Sequence, residues 1–507
     1  MKKTVQILAL LLVFVMLAAI TACSETKQQS EESSPESTAI FAEDEETTAA
    51  VTVDPNYSYD LPELNFAEDE IKILAANRDA SKDEFYADGI TGNIISDAVY
   101  KRNSAVENKL NVTLNITLDP TASDYGCCNT IKNQVASGDE IYDLFTMVAY
   151  TPISYILEGD FRNLHNVPNL NLDKYYWVQG FNDIMDTGTK QYVCLGAYSI
   201  SSIRMMNVIV YNKTLFETSG IEDIYQTVMD GKWTIEKQID LITDTYSDLN
   251  GDGVHDAGDF YGFVGGGCVT ADPYLVAFGS HFLSVDSTTG EYSFGYSSEK
   301  IVNAVNAFQK LVTDNPNTWS VGNTGSVDSA FTPDKMNIFA DNRALMVGGT
   351  IYHIEAVLTP SEFTGEYGIA PQPKLNEDQE NYYTYVQDQM TSMGVPSTVP
   401  DSRLAEIGAV METISYESYQ TVFPAYYETS LSYRFLQDYE SKQMLDMIYS
   451  TISLEGAILY SPIFGMISTI RGLMRGDSGS PTSVLASQKN TWASKVKDLN
   501  AQLAALD

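Results

Sequence analysis

Within residues 248–259, Asp248, Asn250, Asp252, Asp256 and Asp259 place oxygen side chains at positions 1, 3, 5, 9 and 12 of a twelve-residue run. Gly253 occupies position 6 and Val254 offers a backbone carbonyl at position 7. This is EF-hand loop spacing, in which alternate donors turn inward around a tight curve that glycine permits. The chemistry is oxygen ligation of a hard divalent cation, and calcium is the expected ion. Position 12 departs from the pattern: Asp259 is one methylene shorter than the usual glutamate. Two other runs imitate catalytic motifs. Gly476-Asp477-Ser478-Gly479-Ser480-Pro481 resembles the serine segment of chymotrypsin-like proteases, but His165, His255, His281 and His353 lack the sequence setting that a triad partner needs. Gly265-Gly266-Gly267 is followed by Cys268-Val269-Thr270, not by Gly-Lys-Ser/Thr, so it is read as a turn and not a phosphate cradle.

The elements around these residues alternate between strand and helix, which predicts an α/β architecture. Ile71–Ala75, Val112–Ile116 and Tyr142–Val148 read as strands. Asn93–Leu110 carries Ile94, Ile95, Ala98, Val99 and Val106 at helical spacing. Ile301, Val302, Val305, Phe308, Leu311 and Val312 form one apolar face, and Leu485, Trp492, Val496, Leu499 and Leu503 another. The metal loop follows a predicted helix over 234–246.

The amino terminus bears on location. Lys2 and Lys3 precede an apolar run from Ile7 to Ile20, closed by Thr21-Ala22-Cys23. The run is shorter than the ~20 residues of a membrane span, and the segment resembles a bacterial lipoprotein signal. Residues 1–22 are expected to be removed and Cys23 to carry lipid, leaving the chain tethered at the extracellular face of the membrane. Residues 23–66 are Ser-, Thr-, Pro- and acid-rich at first and read as a flexible acidic stalk. The formal net charge of −38 argues against nucleic acid and against polyanionic ligands. Beyond Cys23, the thiols are Cys127, Cys128, Cys194 and Cys268. With no Cys-x-x-Cys pattern, they are read as buried or incidentally paired, the pairing left open.

Five local patterns occur in a telling order. Tyr142-Asp143-Leu144-Phe145 leads to Gly159-Asp160-Phe161-Arg162-Asn163-Leu164; Val208-Ile209-Val210-Tyr211-Asn212-Lys213 leads to Leu215-Phe216 and Gly220-Ile221. Lys232-Trp233-Thr234-Ile235-Glu236, Phe339-Ala340-Asp341-Asn342-Arg343-Ala344-Leu345-Met346 and Tyr367-Gly368-Ile369-Ala370-Pro371-Gln372-Pro373-Lys374 follow. Together they resemble the family 1, sugar-type extracellular solute-binding proteins of ABC importers, with Asn342 where that family carries glycine. The stretch 415–428 is similar to lipoprotein members from Gram-positive bacteria. The resemblance implies two α/β lobes of the type II periplasmic-binding-protein kind, joined by crossings and closing on ligand at a hinge. It divides the chain into lobe I (67–208 and 387–425) and lobe II (209–386 and 426–507). Crossings are expected near 208–211, 387–396 and 423–427. It also implies a saccharide ligand, ABC permease subunits as partners, a non-catalytic role, and a structural calcium loop away from the cleft. A monomer is expected.

In such a fold, strand ends and the loops after them face the cleft. That nominates Asn77, Arg78, Tyr150, Thr270, Asp272, Thr350, Tyr352, Gln387 and Tyr426 for sugar hydroxyls and ring faces, with Trp177 and Trp319 as stacking candidates or core. Trp233 is read as packing. Two rival readings share these features: a secreted glycosidase, which needs carboxylates about 5–9.5 Å apart, and a glycan-capture lipoprotein with no transporter. An oligopeptide remains open as the ligand.

Overall fold

A computed structural model describes residues 58–507 except 266–267, 287, 321–333, 436–438, 478 and 507. The leader, Cys23 and most of the expected stalk lie outside the described residues, as does Ser478. No helix among the described residues is long and apolar enough to cross a membrane.

The strands run β1 (Asp69–Ala75), β2 (Val112–Leu118), β3 (Leu144–Val148), β4 (Asn207–Asn212) and β5 (Tyr261–Gly265). They continue as β6 (Leu283–Val285), β7 (Tyr292–Phe294), β8 (Thr318–Ser320) and β9 (Ala344–Thr350). The last are β10 (Tyr367–Ala370), β11 (Thr384–Tyr385), β12 (Thr391–Gly394) and β13 (Ile452–Ser453). Two larger sheets organise the chain, with orders β2-β1-β3-β12 and β8-β5-β9-β4-β10. Each has a parallel core joined by helical crossovers, and each accepts one antiparallel strand that has come from the other lobe: β12 beside β3, and β4 beside β9. The fold is thus α/β and two-lobed, with the same four-strand order built twice and β10 added at the edge of the second sheet.

Local sequence explains the elements. Asn93 caps the helix Ile94–Leu110 by accepting from Ile95 and Ser96 amides. Ile95, Ala98, Val99 and Val106 are buried as expected, but Ile94, in the first turn, is exposed. Ser297 caps Ser298–Val312, whose buried face is Ile301, Ala304, Val305, Phe308, Leu311 and Val312, with Val302 half-buried. Helix Pro481–Ala505 buries Leu485, Trp492, Val496, Leu499 and Leu503. The helix before the metal loop is shorter than expected, Ile235–Leu241, with Thr234 as its N-cap.

All of the ordered motifs but the first, which builds β3 of lobe I, prove to be scaffold of lobe II. Asn212 ends β4, accepts from the Leu215 amide to start the next helix, and donates to Asn342 at 2.7 Å. Asn342 sits at φ 58°, a left-handed conformation that asparagine tolerates better than other residues with a side chain, which accounts for its standing where the family carries glycine. A Cβ on Gly368 would lie 2.5 Å from the Tyr211 ring and from the Tyr225 hydroxyl, so only glycine lets β10 approach them. Trp233 is fully buried and its indole donates to the Pro371 carbonyl at 2.9 Å.

Two boundaries differ from the expectation. Residues 58–66 lie along lobe I instead of belonging to the stalk: Leu61, Leu64 and Phe66 pack on its core, and Tyr59 stacks near Tyr416 with ring centroids 4.6 Å apart. Acidic, apolar-poor sequence ends before these residues, and they can bury surface. The first crossing also falls earlier, before β4, since Met206 already bridges Val386 of the returning segment. Helix Leu404–Gln420 packs on Ile94–Leu110, and helix Tyr439–Ser450 packs on β10, so the third crossing lies between them. Cys127, Cys128 and Cys194 are buried and unbridged. Adjacent cysteines cannot close a relaxed bridge.

Candidate functional site: the cleft between the lobes

The carboxyl ends of β1, β2 and β3 face those of β5 and β9, because parallel strands gather their following loops at one edge of the sheet. After β1, Asn77 donates to the Asp119 carbonyl at 3.0 Å, and Arg78 donates to the Ala122 carbonyl at 3.0 Å. Arg78 Nε also meets Asp124 Oδ1 at 3.1 Å, and Asp124 Oδ2 accepts from the Tyr150 hydroxyl at 2.9 Å. Tyr125 stands edge-on to Tyr150, centroids 5.8 Å apart. Across the gap, Thr350 ends β9 and its N–H donates to His353 Nδ1 at 3.0 Å, which makes that nitrogen an acceptor. Asn77, Arg78, Asp79, Tyr352, His353 and Gln389 line a cavity of about 370 Å³ between the lobes.

A second polar cluster adjoins it. Asp272, buried, is paired with Arg471, whose Nε lies 2.8 Å from Oδ1. Asp388, in the second crossing, feels Arg471 and Asp272 of one lobe and Asp124 of the other. Removal from solvent pushes its carboxyl up to about 7; Arg471 opposes the rise, and the two aspartates add to it. A carboxyl poised near neutrality can accept or donate a hydrogen bond.

Behind the cavity, Arg204 of the first crossing joins both lobes. It makes a two-pronged contact with Asp83, at 2.6 and 2.9 Å, and reaches Glu355 at 2.9 Å. Its guanidinium lies 5.2 Å from the Tyr426 ring centre.

The structure therefore brings Asn77, Arg78 and Tyr352 to one cavity, with Tyr150 one carboxylate behind Arg78 and Asp272 in the adjoining cluster. Gln387 is buried in the crossing beside Asp388, its Oε1 without a hydrogen-bond partner among the described residues. Thr350 positions His353 and is itself buried, as is Thr270. Tyr426 is fully buried against Arg204, so it supports the hinge and does not present a face to ligand. Trp177 is buried too and donates to Glu412 at 3.2 Å, which makes it core. Trp319 lies in lobe II, its ring 6.3 Å from Tyr261, near the acidic loop. Asp124, Asp388, Gln389 and Arg471 are additional. Asp124 could have been found, since it follows the end of β2. Arg471 comes from a late helix, and no local signal marks it.

In the loop 248–259, Asp248 accepts from the amides of Gly251 and Gly253, at 2.6 and 2.9 Å. Asp252 accepts from Val254 at 2.7 Å and Asp256 from Gly258 at 2.6 Å, while Asn250 accepts from Asp252 at 2.9 Å. Asp259 is buried; burial raises its carboxyl, but the Tyr246 hydroxyl and the amides of Asp256 and Leu249 outweigh that and hold it below the usual range. Among the described residues, no three carboxylate, imidazole or thiol groups converge closely enough to ligate one ion. The donors are present in order, but here their oxygens serve backbone amides.

No protein-family model and no curated protein sequence matches the chain. Solved structures do match in fold. The galacto-N-biose-/lacto-N-biose I-binding protein of the ABC transporter from Bifidobacterium longum superposes with a TM-score of 0.55 at 14% identity, covering 85% of this chain and 98% of that one. The GacH receptor of Streptomyces glaucescens gives 0.52 at 13%, covering 85% and 99%. A family 1 extracellular solute-binding protein from Bifidobacterium longum subsp. infantis gives 0.51 at 12%, covering 87% and 100%. The chain has the two-lobed fold of the extracellular solute-binding proteins.

Proposed function

We propose that the protein is a lipid-anchored extracellular receptor of the family 1, sugar-binding type, which captures a carbohydrate without altering it and delivers it to an ABC permease. The observation that carries this reading is the cleft itself: Arg78 and Asp124 on one lobe, Tyr352 and the Asp272–Arg471 pair on the other, and Asp388 in the turn of the crossing between them. Amide, guanidinium, carboxyl and phenol groups around one cavity suit a solute rich in hydroxyls. Ligand that touches both walls favours the closed form, which is what a receptor presents to its transporter. The solved relatives in fold include complexes with lacto-N-biose and with acarbose, and these support a saccharide, an oligosaccharide among them. The Asp248–Asp259 loop is proposed as a calcium site on the order of its donors, and Cys23 as the acylated residue on the leader that precedes it.

A thermal-shift screen of mono- and oligosaccharides, followed by calorimetry, tests the proposal. The expected result is a stabilising sugar whose affinity falls in Arg78→Ala and whose composition is unchanged after prolonged incubation. Product formation from the bound glycan would overturn it in favour of a hydrolase. Mass spectrometry of the cell-derived protein should find acyl chains on an amino-terminal Cys23.

A further inference from the structure

Away from the cleft, an aromatic groove lies where the lobes meet the crossings. Tyr175, Tyr419, Phe423 and Tyr449 line a space of about 270 Å³ together with Gln179, Ser199 and Ser202. Residues 419, 423 and 427 fall four apart and so share one side of the helical run. Tyr419 and Phe423 rings are 5.7 Å apart and within 15° of parallel, and Phe423 and Tyr427 are 5.3 Å apart and within 9°. Tyr175 meets Tyr419 edge-on at 4.7 Å, and Tyr449 leans on Phe423 at 5.7 Å. These contacts hold the rings at fixed angles, yet Tyr419 and Tyr449 remain 36% and 38% exposed. Neither of their hydroxyls has a hydrogen-bond partner among the described residues.

The lining contains no charged residue, in a chain with 68 acids and 30 basic residues. Its polar groups are hydroxyls and amides. An ionic partner finds no countercharge there, and a wholly apolar helix or side chain would cover the Tyr419 and Tyr449 hydroxyls without offering them a hydrogen bond. An uncharged sugar ring meets both conditions, since its C–H face packs on an aromatic ring while its hydroxyls reach the surrounding oxygen and nitrogen atoms. We propose that this groove is a second ligand site, outside the cleft, for a ring of a neutral saccharide.

Its placement has a consequence. Tyr175–Gly180, Gly196–Ala197 and Tyr419 belong to lobe I, Tyr449 and Ile452 to lobe II, and Ser199, Ser202 and Phe423 to the crossings. An occupant held differently in the open and closed forms changes cleft affinity, and the cleft ligand changes its affinity by the same factor.

The test uses the full chain in detergent and tetrasaccharides of glucose, galactose, xylose and N-acetylglucosamine as probes, measured by calorimetry and saturation-transfer NMR. In an Asp388→Ala background, which removes the cleft's carboxyl between the lobes, at least one probe should still bind. Tyr419→Ala/Tyr449→Ala should weaken that binding by about tenfold or more, whereas Tyr419→Phe/Tyr449→Phe, which keeps the faces, should stay within about threefold. Tyr449→Ala alone, at an exposed helix end, supplies the readout if the double variant unfolds, and should weaken binding by about threefold. The proposal fails if no probe binds the Asp388→Ala chain, or if binding is unmoved by Tyr449→Ala or by the double variant. A sugar that binds wild type but not the Asp388→Ala chain would uphold the cleft and sink the groove.

Discussion

The Arg204 guanidinium donates to Glu355 at 2.9 Å, tying the first crossing to the segment that follows β9. Through Asp83 the same side chain holds the turn after β1, and it is 9% exposed. Beside it, Met206 bridges Val386 and the Gln387 amide donates to the Met205 carbonyl at 2.9 Å, so two crossings form one ribbon. Removing a buried ion-pair partner strands the others. Arg204→Ala should therefore cost about 3 kcal/mol or more, read as a lower denaturation midpoint. A loss below about 1 kcal/mol, the range of an exposed pair, would show that the network does not hold the hinge.

Glu84 lies buried beneath this ribbon and accepts from the Ser201 amide at 2.6 Å. Burial pushes its carboxyl up to about 7, with hydrogen bonds from Ser201 and Thr391 opposing the rise. An unfolded glutamate titrates near 4.3, so between about pH 4.5 and 7 the native state holds more protons than the unfolded chain. Stability should fall as pH rises through that window. Glu412, also raised to about 7, and Asp388 act in the same direction. Glu84→Gln should remove its share, about 4 kcal/mol at most, and flatten the melting-temperature profile. An unchanged slope would refute the assignment.

Arg78 is about one-third exposed and its pair with Asp124 is expected to add little to folding. Its position at the cavity matters more. Arg78→Ala should lower ligand affinity by about tenfold or more, about 1.4 kcal/mol, with a melting temperature near that of the wild type. Equal losses of stability and affinity would reassign Arg78 to the scaffold.

Calcium should raise the melting temperature, by up to about 2.7 kcal/mol of stabilisation at a hundredfold excess over its dissociation constant. Asp248→Ala removes the acceptor of the Gly251 and Gly253 amides and should abolish the response. A calcium response that survives in Asp248→Ala would place the ion elsewhere, and no response in wild type would leave the loop an amide-bonded turn.

How much of this was legible in the chain varies with the range of the cause. The strand at Ile71–Ala75, the helical stripe from Ile95 to Val106 and the face of Leu485 to Leu503 are set by neighbours within a few turns, and they are found as read. The motif residues also resolve as scaffold: Trp233 against Pro371, Gly368 under Tyr211, Asn342 against Asn212. Because they build lobe II and do not line the cavity, they could indicate a fold while saying little about a ligand.

The sequence by itself determined most of the elements and the positions at strand ends, since backbone propensity and hydrophobic period act over short stretches, while the two-lobed order was legible only through the resemblance its motifs carry. Only the tertiary structure decided that Arg471 would pair with Asp272 from 199 residues away, that Asp388 would sit between two lobes' charges, and that Trp177 and Tyr426 would be enclosed. Those outcomes depend on where separate crossovers return the chain, and a side chain's exposure and charge state are properties of whatever arrives beside it.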